Sequence, residues 1–119
     1  MRDSWAAAVR AGRILTCWPV RFELLFSTGN ARDFAQLEHR LTAFRDIPIT
    51  VSVQRAALTG LRELSERGAG HHRVPLADVL VAAAAQEGGV GVLHYDKHFD
   101  RLNEVLAFEN RWIAPAGSL

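Results

Sequence analysis

Cysteine is nearly missing from this chain of 119 residues, since Cys17 stands alone. No internal disulfide can form, so a packed core has to supply the stability. Long apolar runs are missing too. Arg21, Glu23, Asp78 and Gly91 interrupt the richest stretches, none of which reaches the about 18 consecutive apolar residues that span a bilayer. The opening MRDSWAAAVRAG lacks the apolar centre and small-residue cleavage site of a secretory signal. A reducing cytoplasm and no membrane partner are expected. Lysine is as rare as cysteine: Lys97 is the only one, arginine carries the remaining positive side-chain charge, and the formal net charge is +1. That balance excludes a broadly basic nucleic-acid surface and leaves room only for local contacts. Arginine suits bidentate phosphate contacts, although high-GC coding bias would give the same excess.

Several catalytic signatures are also missing. There is no G-x-x-x-x-G-K-[ST] or G-x-G-x-x-G phosphate loop, and neither Cys17 nor Ser27 has a matched base at a recognisable spacing. His71-His72 and His94…His98 do not form a zinc pattern, because adjacent residues diverge, no second cysteine exists, and the His94–His98 pair straddles a strand end.

What is present is ordinary globular usage, 49% hydrophobic and 23% charged, in a length that suits one domain over residues 1–119. The pattern predicts a short helix to about Arg10 ended by Gly12, an extended ILTCW, and a helix from Pro19 that Gly29 and Asn30 stop. A helix over about 31–44 places Phe34, Leu37, Leu41 and Phe44 on a core-facing side. IPITV reads as a strand, and Ser52 as the cap of a helix through about Arg67 on which Ala57, Leu61 and Leu64 share a face. GAGHHR is a loop. Pro75 opens a helix carrying Leu76, Val79, Leu80 and Ala83 that Gly88-Gly89 ends, followed by a buried VGVLHY strand, a helix near 99–107 and a strand near 111–113. This alternation is the signature of an α/β fold with a mostly parallel sheet flanked by helices.

Three acids stand beside apolar runs: Glu23 in PVRFELLFS, Asp78 in VPLADVLVAAAAQEGG and Asp96 in GVLHYDKHFD. A carboxylate near a core is rarely kept unless it is paired or bound to metal. Asp96 follows an apolar strand, and the carboxyl ends of strands are where open α/β sheets bind ligands. One metal-binding carboxylate cluster of a hydrolase is the leading reading. Each acid also has a plainer role: Glu23 in a solvent stripe with Pro19 and Ser27 or paired with Arg21, Asp78 at a helix dipole, and Asp96 capping the next helix. Ala82 and Ala85, further along the side of Asp78, leave room for a ligand or for close packing. Asp100, one helical turn after Asp96, could support the site.

ILTCWPVRFELLFS, HHRVPLADVLVAAAAQEGGVGVLHYDKHFDRLNEVL and the tail RWIAPAGSL together resemble the PIN-domain ribonucleases, in particular the VapC toxins of bacterial toxin–antitoxin pairs. The resemblance covers nearly the whole chain, and the stretch running into HYD is its more specific part. It implies a PIN-like three-layer α/β fold in which Glu23, Asp78 and Asp96 bind Mg²⁺ or Mn²⁺ and activate water against an RNA phosphodiester. It further implies a VapB-type antitoxin partner and a homodimer. Two departures stand out. The family opens with a strand ending in Asp-x-Ser whose aspartate is a fourth ligand; that N-terminal strand is missing here, and Asp3 does not replace it. A second acid often follows two residues after the strand-end aspartate, where this chain has His98, which could bind a softer metal or contact phosphate. The expectation is therefore a metal-dependent endoribonuclease toxin of a type II pair. The alternative is a catalytically impaired PIN remnant that binds antitoxin.

Overall fold

The computed structural model describes residues 15–94 and 97–112, and its contacts group into two compact units, Met1–Pro48 and Ile49–Leu119. The helix expected before Gly12 and the strand residue Ile113 lie outside the described residues.

In the first unit a short strand β1 (Leu15–Thr16) leads into α1 (Trp18–Phe26), α2 (Ala31–Leu41) and β2 (Arg45–Asp46). Pro19 sits in the first turn of α1, where its missing N–H costs nothing. Asn30 starts α2 by accepting the Asp33 N–H at 2.9 Å. β1 and β2 run parallel, pairing Leu15 with Arg45 and Thr16 with Asp46, and the Ile47 N–H adds one bond to the Thr16 carbonyl at 2.7 Å. The strand expected over IPITV thus lies earlier. Pro48 has no N–H to continue the ladder, so pairing stops at Ile47. The core-facing side predicted for α2 holds only at its end: Leu41 is buried, whereas Phe34 is exposed, and the helix stops before Phe44.

The second unit comprises α3 (Val51–Arg67), α4 (Leu76–Gly88), β3 (Val92–His94), α5 (His98–Leu102) and β4 (Asn110–Trp112). Thr50, rather than Ser52, caps α3 by accepting the Val53 N–H at 3.2 Å. Val53, Ala57, Gly60 and Leu64 recur at helical spacing as the buried face of α3, which packs on α4. Gly60 is small for a reason: a β-carbon there would lie 3.2 Å from Cγ of the buried Leu106. On α4, Val79 and Ala82 to Ala85 are buried, while Leu76 is 73% exposed despite its place in the apolar repeat. Gly89, at φ +66, closes this helix, and the Val90 N–H returns to the Ala85 carbonyl at 2.9 Å.

β3 and β4 are also parallel, joined through α5, with Val92 opposite Asn110 and His94 opposite Trp112. Among the described residues the strands therefore form two parallel pairs, each with helices in its crossover, as parallel pairing requires. Glu109 approaches so closely that a β-carbon on Gly91 would meet its carbonyl oxygen at 2.8 Å. α5 is shorter than the sequence suggests. The Asn103 side chain donates to the Leu106 and Phe108 carbonyls at 3.2 and 2.8 Å, and this folds the chain into turns after Leu102. Among the described residues, no helix is long and apolar enough to cross a membrane.

Leu64 is fully buried, so Leu64→Ala should cost about 2–5 kcal/mol by urea denaturation, more than truncating the less buried Leu80. Gly91→Ala should cost about 1–3 kcal/mol in the same assay, because the Glu109 backbone must shift. Burial pushes the Cys17 thiol above the ordinary cysteine range; the Val20 N–H opposes this, Asp46 adds to it and Arg21 opposes it. Folded and unfolded chains share a neutral thiol below about pH 8, and above that the unfolded thiol ionises first. Stability is therefore lost as pH rises through the folded pKa. The melting temperature of the parent should fall more steeply above about pH 8.5 than that of Cys17→Ala.

Candidate metal-binding site

Asp78 occupies the third position of α4, where unpaired backbone N–H groups and the helix dipole favour negative charge by about 0.3–1 kcal/mol. No side chain caps this terminus, since the residue before the helix is Pro75. The Asp78 side chain is only 14% exposed, and its Oδ2 lies 3.6 Å from Nδ1 of His98, the first residue of α5. α5 packs on α4, anchored by the buried Phe99 and Leu102, and this brings His98 to the start of α4. Two residues twenty apart in sequence thus meet.

Asp100, on the same short helix, accepts a hydrogen bond from the Asn110 side chain at 2.6 Å and so links α5 to β4. It is exposed, and its carboxylate helps to position β4. Asp96 lies outside the described residues, in the link between β3 and α5.

Glu23 lies mid-helix in α1, as its sequence spacing predicts, but it is exposed instead of set against a core. Phe22 and Phe26 line a shallow depression with it, and both rings are themselves exposed. The plainer readings of Glu23 fare unevenly. Ser27 shares its exposure but Pro19 is buried, and Arg21 turns instead to Asp46, at 3.7 Å, and to the Phe44 carbonyl, at 3.3 Å. Glu23 belongs to the first compact unit, and Asp78, His98 and Asp100 to the second. Among the described residues no three His, Cys, Asp or Glu side chains converge on one point.

The chemistry of the second unit's donors fits a divalent cation. A shielded carboxylate at the positive end of a helix offers a hard oxygen, and an imidazole stands beside it. Of the two roles open to Ala82 and Ala85, room for a ligand or close packing, their burial fits close packing. The sequence offered His98 as an acid's replacement that could bind a softer metal or contact phosphate; its meeting with Asp78 depends on the docking of α5, for which the sequence offered no spacing signal.

A shielded aspartate in the first turn of a helix, followed by a short strand and a second short helix, is the arrangement to set beside known proteins. The PIN-domain family model matches residues 2–105, and the chain belongs to that family. It therefore has an α/β PIN-like fold. Its relatives are VapC ribonucleases. It is 37% identical over 116 residues to Ribonuclease VapC18 of Mycobacterium tuberculosis, covering 97% of this chain and 85% of that protein. It is also 36% identical over 109 residues to Ribonuclease VapC51 of the same species, covering 92% and 78%. With Ribonuclease VapC2, also from that species, the identity is 32% over 104 residues, covering 84% and 72%.

Proposed function

We propose that this chain is a metal-dependent endoribonuclease, the toxin of a type II toxin–antitoxin pair. It hydrolyses RNA phosphodiester bonds in the cytoplasm and is silenced by a VapB-type antitoxin. The observation that carries this reading is kinship with VapC ribonucleases along nearly the whole chain. The shielded carboxylate of Asp78 supports it. Residues 1–119 act as one PIN-like domain, with a three-layer arrangement around a mostly parallel sheet, and two copies form a homodimer.

Glu23, Asp78 and Asp96 would hold Mg²⁺ or Mn²⁺ through carboxylate oxygens, the donors these ions prefer. When bound, such an ion supplies activation of a water nucleophile and neutralisation of charge on the phosphoryl oxygens. The protein's own part is placement. The first turn of α4 fixes Asp78 against a packed helix, so little ordering remains to be done when ion and substrate arrive. The dipole of α4 favours negative charge at the position that Asp78 occupies. Glu23 is exposed, so a polymer such as RNA can approach it.

Cleavage of a mixed structured RNA by the 119-residue chain, with Mg²⁺ or Mn²⁺ and with EDTA, tests this reading. Cleavage should vanish with EDTA and fall by at least ~100-fold in Asp78→Asn and Asp96→Asn, while both variants stay folded. Cleavage that survives EDTA, or that Asp96→Asn leaves undiminished, would refute the ligand assignment. Saturating Mn²⁺ should also raise the melting temperature of the parent and leave that of Asp78→Asn unchanged.

A further inference from the structure

We propose that His98 is itself a metal ligand, forming with Asp78 a nitrogen–oxygen donor pair that biases the site toward transition ions and away from Mg²⁺. This rests on the function proposed above and goes further, because it assigns a selectivity to this chain.

The first ground is distance. Nδ1 of His98 and Oδ2 of Asp78 are 3.6 Å apart. Two donors about 2.1 Å from one ion, subtending about 90–120°, sit about 3.0–3.6 Å apart. The observed separation lies at the upper end of that span.

The second ground is support. Both donors start helices whose positions are fixed by packing: Val79 and Ala82 are buried on α4, and Phe99 and Leu102 on α5. A pair held this way presents its donors without ordering long side chains, as a specific site requires. His98 is 35% exposed, so an ion beside it keeps a side open to water or substrate.

The third ground is chemistry. Carboxylate and water suit Mg²⁺, whereas imidazole suits the later first-row ions, whose affinity for nitrogen rises in the order Mn²⁺, Fe²⁺, Co²⁺. Replacing an oxygen donor by imidazole should cost Mg²⁺ binding and favour Co²⁺. The competing account is an ion pair, a protonated His98 neutralising Asp78, which would make His98 an opponent of every cation alike.

Calorimetric titration of the full chain with Mg²⁺ and with Co²⁺ separates these accounts, using the parent, His98→Ala, His98→Asp and Asp96→Asn, each checked for folding by circular dichroism. His98→Ala should weaken Co²⁺ binding by ~10-fold or more and change Mg²⁺ binding far less. His98→Asp should tighten Mg²⁺ binding and so lower the Co²⁺ preference. The visible absorption of bound Co²⁺ should shift in both His98 variants, reporting loss of a nitrogen donor. An unchanged Co²⁺ to Mg²⁺ affinity ratio in both variants overturns the proposal, as does tighter binding of both ions in His98→Ala, the mark of the ion pair. In those cases, loss of both ions in Asp96→Asn would leave the metal-dependent reading standing. A parent that binds neither ion would overturn both.

Discussion

Close packing around α4 is the constraint on which the second unit depends. Four consecutive residues, Ala82 to Ala85, are all buried. At 3.6 residues per turn, four in succession point to every side of a helix, so this stretch is covered all round. Only a small side chain permits that. α3, α5 and β3 all contact α4, and alanine lets them approach without cavities or strain. Gly60 on α3 serves the same end by admitting Leu106. The site inherits this rigidity, since Asp78 sits one turn before the alanine tract and moves only if the tract does.

Electrostatics decides what stands at the end of that rigid element. Arg67 meets Glu104 at 3.1 Å, both well exposed, so this pair stabilises the fold little, and the half-buried His71 lies 3.5 Å from the same carboxylate. Asp78 is different because it is shielded, dipole-stabilised and placed against an imidazole. A shielded charge is retained where it has a partner or a ligand, and His98 is a partner within reach.

The first unit shows the opposite economy. The Trp18 and Phe22 rings meet at a tilt with centroids 5.4 Å apart, yet Trp18, Phe22, Leu24 and Phe26 are all exposed to a large degree. Glu23 lies among them with no need of a buried partner. The desolvation argument that singled it out in the sequence therefore does not apply where it stands. Its place in the proposed site rests on family likeness and on its mid-helix position.

Much was legible without coordinates. Pro19 and Pro75 at helix starts, Gly89 past a helix end, Ala57 and Leu64 on one buried face, with Leu61 only half-buried, and a strand at Val92 all follow from local rules, because φ restriction, missing donors and helical period act within a few residues. Local rules also misplaced some boundaries: Pro48 stopped strand pairing at Ile47, Asn103 turned the chain after Leu102, and Thr50 outcompeted Ser52 as a cap. By itself the sequence determined the alternating α/β order, the family likeness and the acids worth attention, since all of these are written in residue type and spacing. Tertiary structure alone decided which apolar faces are covered, that Asp100 is tied to Asn110, and that His98 meets Asp78. Those facts depend on how separate helices dock, a summed effect of many weak contacts between residues far apart in the chain.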